Sequence, residues 1–538
     1  MKYLRKLIYC TAFTTVLVSG CNKDSLKNLN INPQAANSID VNFLLTSAQL
    51  GAASGGSRGD NRYIDWRTNI GIASTAIQQL STSGGDISSN GDKYLENMES
   101  NSAPFEYLYT DLRSLNTIIR ETGPGGWADG QNNNTRQAAR ILRAFLFHRL
   151  TDYYGSVPYS EALQAGNGTF FPKYDKQRAI YTDLLKELDE ASAAFGPAEG
   201  AFSAADLYYN GNVDKWKRWG YSLMLRLAMR ISNVDLPKAN TYVAKAIAGG
   251  VFQSNADNVI VPMSEGPSLW QNQNGISRAF YPGDGGNASF LSKTLVDFLK
   301  GPNMASTADD DPRLMIISGG IGNWVASGSS ATWNPTNTDP LGQKGMPNGN
   351  DLTMLRALEG NPNLDVNATY SKINPKMLDR ADPYMLMNYG EVRLLLAEAA
   401  QRSIGGLTPA AAPAHYAEGV KASMQMYTIY DASLAVSDAQ VAGYLIAHPY
   451  GVEKPALEMI AWQLWVNHFL NWWEAWSDWR RTRLPPLVPT NFPGNVTGGK
   501  IFERLKYPNA EVAGNPNFAA TATTNDYVTK VWWAGGPE

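Results

Sequence analysis

Trp462-Gln463-Leu464-Trp465-Val466-Asn467-His468-Phe469-Leu470-Asn471-Trp472-Trp473-Glu474-Ala475-Trp476-Ser477-Asp478-Trp479-Arg480-Arg481-Thr482 is the stretch on which the fold turns. Trp462, Trp465, Phe469, Trp472, Trp476 and Trp479 recur at steps of three and four, so on a helix they form one stripe. Large rings at helical spacing belong to a core more often than to a ligand platform. The spacing predicts one helix from Ala456 to Arg481 with its tryptophans turned inward. Glu474 and Asp478 stand one turn apart, close to Arg480 and Arg481. That arrangement predicts internal ion pairs rather than acid–base chemistry.

Outward from this stretch the helical period recurs. It predicts helices from Val41 to Leu50, Tyr63 to Leu80, Phe105 to Ile119, Thr135 to Tyr154, Gln177 to Phe195, Val213 to Ile231 and Leu236 to Ala248. It returns from Tyr384 to Arg402, Ala411 to Tyr427 and Asp438 to Ile446. Gly155 and Pro158 stop one helix, and Gly249-Gly250 caps another. Helix pairs of roughly 15 residues suggest an α-solenoid, although no clean repeat of about 34 residues is present. Residues 250–383 are different: rich in Gly, Asn, Pro, Ser and Asp, with only Leu291 to Leu299 reading as helix. Loops that long are uncommon in a compact domain unless they are functional. The tail from Leu484 also reads as loop.

At the other end, Lys2, Arg5 and Lys6 precede an apolar run from Leu7 to Val18, and then come Ser19, Gly20 and Cys21. A basic head, about a dozen apolar residues and small residues at the end make a signal peptide, too short to span a bilayer. Val18-Ser19-Gly20-Cys21 matches the lipobox of bacterial lipoproteins, in which the cysteine thiol accepts lipid. Residues 1–20 are then removed, 21–33 form a lipidated, flexible tether, and 34–538 form a single domain. Lys23 and Asp24 resemble the charged signal that sends lipoproteins of the Bacteroidetes to the outer face of the outer membrane.

Removing residues 1–20 takes three positive charges from a chain whose net charge is −3. A mildly acidic surface argues against nucleic acid, which needs clustered Lys and Arg. The only cysteines are Cys10 and Cys21, so the mature body carries no disulfide. The chain is rich in aromatics, with 15 Trp and 26 Tyr, many beside Asn, Gly and Asp. Flat rings beside polar groups suit a surface that stacks on sugars. Gly55 to Gly59 spells G-x-S-x-G, but an apolar helix precedes it where a strand is required. Gly494 to Lys500 resembles a phosphate loop, but Ile501 stands where Ser or Thr belongs. Asp309-Asp310-Asp311 offers oxygen ligands for a structural calcium ion, against which stands an ordinary solvated turn before Pro312. There is no His or Cys cluster for zinc. No other cofactor is expected.

Six segments, in order, carry a family resemblance. Ala139-Arg140-Ile141-Leu142-Arg143-Ala144-Phe145 leads to Asp152-Tyr153-Tyr154-Gly155-Ser156-Val157-Pro158-Tyr159. Trp216-Lys217-Arg218-Trp219 leads to Leu225-Arg226-Leu227-Ala228-Met229-Arg230. Asp311-Pro312-Arg313 follows, then Tyr389-Gly390-Glu391-Val392-Arg393-Leu394-Leu395-Leu396-Ala397-Glu398-Ala399, then Glu474 to Thr482, then Arg504-Leu505-Lys506-Tyr507-Pro508 with Glu511 and Asn515. Together they resemble the SusD/RagB family of nutrient-binding outer-membrane lipoproteins, in its SusD-like branch. The resemblance implies a mainly α fold with four tetratricopeptide-like helix pairs and an irregular, loop-rich ligand-binding part at 250–383. It implies a SusC-like TonB-dependent transporter as partner, an oligosaccharide ligand, and binding rather than catalysis. A peptide-uptake lipoprotein of the same family, or a surface glycoside hydrolase, are the alternatives. Ligand residues in the family come from the early helices and the irregular middle. Here that points to Asp65, Trp66 and Arg67, and to Trp270, Asn272, Asn274, Arg278, Tyr281, Trp324 and Trp333.

Overall fold

The computed structural model describes residues 39–54, 63–84, 91–266, 272–280, 289–327, 330–520 and 524–538. The expected signal peptide, lipobox and tether lie outside them, as do Gly55 to Gly59, Trp270 and Tyr281. Residues Val41–Glu538 form one compact unit.

That unit is mainly helical, and consecutive helices pack on one another as pairs. Met98–Glu121 packs on Asn133–Tyr154, Val213–Arg230 on Leu236–Gly249, Tyr389–Gln401 on Ala412–Gln425, and Ala456–Asn467 on Trp472–Thr482. Gln177–Ala193 joins the first two pairs by packing on both Asn133–Tyr154 and Val213–Arg230. Local chemistry fixes where they start. Asn97, Asn212, Asp235 and Asn388 each accept a backbone N–H of the first turn, and Ser437 with Gln440 forms a complete capping box.

The tryptophan stretch departs from its expected form. It is two helices rather than one, because Leu470 adopts a left-handed backbone with φ 75°. The reversal is held from outside. The Asn69 side-chain amide donates to the Leu470 carbonyl at 3.0 Å, and the Trp473 backbone N–H donates to the Asn69 side-chain Oδ1 at 3.0 Å. The expected burial holds all the same: Trp465, Trp472, Trp476 and Trp479 are core, and Trp462 is half-buried.

Two further expectations change. Ile64–Ser74 is a π-helix, a rare form that is frequent at functional sites. Residues 250–383 hold more regular structure than one helix. Ser318–Ser327 pairs antiparallel with Ser330–Asn337 on one side and Ser371–Ile373 on the other. Short helices Gly275–Phe280, Leu314–Ile317 and Leu352–Leu358 accompany this sheet. The sheet's Ser, Gly and Asn residues hide the apolar alternation that would have announced it.

The segments that carry the resemblance meet inside the core as a lattice of buried charges. Arg226 grips Glu391 through two bonds of 2.5 and 2.6 Å. Arg230 pairs with Glu474, with Asp478 at 3.1 Å and with Asp152 at 3.4 Å. Arg481 holds Glu398 at 2.5 and 2.7 Å. Arg480 donates to the Asp152 carbonyl at 2.6 Å and lies 3.9 Å over the Trp476 ring. The Tyr507 hydroxyl reaches the carbonyls of Tyr154 and Ser156 at 2.8 and 2.6 Å, tying the C-terminal segment to the turn after Tyr154. Burial pushes the Glu474 carboxyl up, but Arg226 and Arg230 outweigh it and hold the group well below the usual carboxylate range. Burial brings Arg480 down to about 10. The predicted ion pairs of Glu474 and Asp478 are therefore real, and their chief partner, Arg230, comes from a distant helix.

Candidate carbohydrate-binding surfaces

The first turn of the π-helix presents an aromatic and charged patch. Tyr63 stacks on Tyr107 with ring centres 5.5 Å apart and planes at 14°. Four residues on, Arg67 lays its guanidinium 4.4 Å over the Tyr63 ring and pairs with Glu99 at 3.2 Å. Tyr63, Trp66, Arg67 and Tyr107 are all half-buried, so each keeps a share of solvent-facing surface. Flat rings beside a forked donor and a carboxylate match the apolar faces and hydroxyl edges of a sugar ring.

Asp65 does not join this patch. It is buried, with its Oδ1 accepting from the Tyr384 hydroxyl at 2.8 Å and the Asn69 amide at 3.1 Å. Burial raises its pKa to about 6, against the opposing pull of Arg149, Tyr384 and Asn69. Its place is beneath the patch, tying the π-helix to the strand Tyr384–Met387.

The hairpin supplies a second surface. Trp324 and Trp333 are directly opposite in register and meet edge to face, with centres 5.7 Å apart at 62°. Both are half-buried on strands whose neighbours Asn323 and Asn334 are exposed. The Trp333 indole N–H donates to the Gly319 carbonyl at 3.1 Å, which fixes the ring. Lys372 lies 6.0 Å from the Trp333 ring centre and donates to Asn367 at 2.7 Å. Burial lowers its pKa to about 8, with Asp365 opposing.

The other expected residues take supporting positions. Asn272 turns the chain in a left-handed conformation, φ 60°, and its carbonyl accepts the Ser264 N–H at 2.7 Å. Asn274 is buried and caps Gly275–Phe280, accepting from Ile276 and Ser277 and donating to the Asp382 carbonyl at 3.1 Å. Arg278 is buried within that short helix, which packs on the π-helix. Asp65, Asn274 and Arg278 are thus buried, each packed into the fold rather than standing on the surface. Sequence reasoning missed Tyr63, Glu99, Tyr107 and Lys372. The step of four between Tyr63 and Arg67 was a usable signal; Glu99 and Tyr107 arrive from another helix and left none.

Three groupings of polar residues singled out by type or spacing have their own settings in the fold. Glu391, His468 and Glu474 gather in the core, but Arg226 and Arg230 already neutralise that group. In the acidic run, Asp311 is committed to Arg313 at 2.6 Å, and an Asp309 oxygen accepts the Asn303 N–H at 3.3 Å. Asp311 is thus committed within the chain, while Oδ1 of Asp309 and both carboxylate oxygens of Asp310 are buried without a hydrogen-bond partner among the described residues. Residues 491–499 are turns and bends with no strand feeding them, which removes the phosphate-loop reading.

The profile of a SusD-like family, described as starch-binding and associating with the outer membrane, matches residues 33–508. Among solved structures, a chitin-binding protein is 31% identical, with a TM-score of 0.75, over 92% of this chain and 100% of its own. A SusD-like protein from the Bacteroidetes is 25% identical with the same TM-score of 0.75, again over 92% of this chain and 100% of its own. A chitin-binding SusD homologue from Flavobacterium johnsoniae shares the fold at 22% identity and a TM-score of 0.70, over 92% of this chain and 99% of its own. No match was found among curated proteins. No described helix is long and apolar enough to cross a membrane. With paired helices, the motif lattice and a profile match over most of its length, the chain belongs to the SusD/RagB family, in its SusD-like branch.

Proposed function

We propose that this protein is a cell-surface glycan-binding lipoprotein, held on the outer membrane by lipid on Cys21, that captures oligosaccharide and passes it to a SusC-like TonB-dependent transporter. The observation that carries the reading is the half-exposed Trp324–Trp333 pair, two indoles fixed at 5.7 Å on an otherwise polar hairpin. An exposed, preorganised aromatic pair costs little further ordering when a sugar stacks on it. The family description names starch, and two structural neighbours are named as chitin-binding. The protein acts by binding, with no covalent step. A lid that closes over a transporter supplies capture where affinity per site is modest.

Titrating the purified mature body with chito- and malto-oligosaccharides, with peptides as the control, tests this. Sugar binding without release of new reducing ends is expected. Peptide binding alone overturns the glycan reading, and sugar turnover overturns the binding-only reading. Cys21→Ala is expected to free the protein from the membrane fraction with sugar binding unchanged. A transporter that co-purifies with the wild type in detergent, and not with Cys21→Ala, completes the picture.

A further inference from the structure

Apart from both surfaces, two open cavities of about 690 and 550 Å³ share a wall, since Thr294 and Asp297 of the helix Lys293–Lys300 line both. Each volume falls within the roughly 300–1,000 Å³ of small-ligand sites. Phe298 and Trp462 line the first. Their rings stack 4.6 Å apart with planes at 6°, and Trp465 braces Trp462 edge-on at 5.3 Å. The Trp462 N–H donates to Glu458 at 3.3 Å, so this aromatic slab is locked in place. Beside it, Gln463 donates to the Tyr444 hydroxyl at 2.8 Å. The second cavity is lined instead by amides, among them Gln78, Asn348, Asn350 and Asn491.

The charges around this groove are already matched. Lys293 pairs with Asp297, Lys454 with Glu458 at 3.8 Å, and His448 with Glu453 at 3.1 Å. A charged ligand entering here would lose hydration without meeting an unpaired counter-charge. A neutral one loses nothing of that kind. Its apolar ring faces have the slab to stack on, and its hydroxyl or acetamido groups can donate to the amide oxygens of Asn348 and Asn350, whose NH2 groups donate within the chain. The two linings meet at Thr294 and Asp297, so a ligand long enough to occupy both would cross that shared wall.

We propose that this groove binds a neutral, linear oligosaccharide, as a site separate from the 324–333 hairpin and the π-helix patch. The proposal rests on the glycan-binding reading above. It is tested by calorimetry of the mature protein with chitohexaose and maltohexaose, their trisaccharides, an oligogalacturonate as anionic probe and a chitosan hexamer as cationic probe. The variants are Trp462→Ala, Trp462→Phe and Thr294→Trp, the last placing a bulky ring at the shared wall, all checked for native circular dichroism. Expected are binding of a neutral hexasaccharide and a loss of about tenfold in affinity for Trp462→Ala. Trp462→Phe keeps most of the affinity, and Thr294→Trp drops the hexasaccharide to the affinity of the trisaccharide. Hexasaccharide affinity unchanged in both Trp462→Ala and Thr294→Trp, but lost in Trp324→Ala, overturns the groove while leaving glycan binding intact. Tighter binding of either charged probe overturns the ligand class. Absence of any sugar binding by the wild type removes the functional reading itself, and the groove with it.

Discussion

Between the helices Val213–Arg230, Tyr389–Gln401 and Trp472–Thr482, arginines and carboxylates are sealed from water and each is answered by another residue of the chain. Across the hairpin 318–337 and the start of the π-helix, rings and charges stay half-exposed, and the patch carries an ion pair, Arg67–Glu99, that faces water. The contrast is physical. A buried ion is costly unless a partner of opposite sign sits within about 4 Å, so every member of the lattice specifies the others. A binding surface leaves part of its valence for a ligand, so the chain places fewer internal demands on it. The segments that carry the family resemblance are accordingly lattice segments, and the aromatic surfaces lie outside them.

Four changes test that division. The largest effect is expected for Arg230→Ala, which takes from Asp152, Glu474 and Asp478 the arginine that all three share. Denaturant unfolding is expected to show a loss of about 3–5 kcal/mol, with sugar affinity per folded molecule unchanged. A loss below about 1 kcal/mol would dissolve the distinction.

Asp65 lies on the border, buried under the patch. Its carboxyl is raised from 3.8 to about 6 in the folded state. Between those values the native protein holds a proton that the unfolded chain has released. Stability from this group therefore falls as pH rises through the window, and the deficit is complete above it. Asp65→Asn keeps an acceptor for Tyr384 and removes the buried charge. Thermal unfolding across pH 4 to 8 is expected to show a gain at neutral pH of at most roughly 3 kcal/mol and a flatter profile below about pH 6. A profile identical to the wild type would mean that Asp65 does not titrate in this range.

Trp324→Ala should behave in the opposite way to Arg230→Ala. Losing an aromatic partner is expected to weaken sugar binding by about 0.5–1.5 kcal/mol. Stability should change little, because the ring is half-exposed. A large stability loss with unchanged affinity would move the hairpin to the structural side. Smallest of all, Glu99→Gln removes a water-facing ion pair. Unfolding experiments should register less than about 0.5 kcal/mol, and any sizeable drop in sugar affinity would mark Glu99 and Arg67 as direct contacts.

The sequence by itself determined the helical scaffold, the inward tryptophans and the charged residues of the core. Helical periodicity is written locally, and Trp472, Trp476, Glu474 and Asp478 announce their faces by spacing alone. It also carries Val18-Ser19-Gly20-Cys21, whose resemblance to a lipobox is a local pattern of neighbours in the chain. Only the tertiary structure decided the rest. It showed Leu470 turning left-handed under bonds from Asn69, about 400 residues away in the chain. It paired Trp324 with Trp333, drew Tyr107 onto Tyr63, and buried Asp65, Asn274 and Arg278. Burial and stacking are properties of residues distant in sequence that meet in space, and no local pattern encodes which distant residue will arrive.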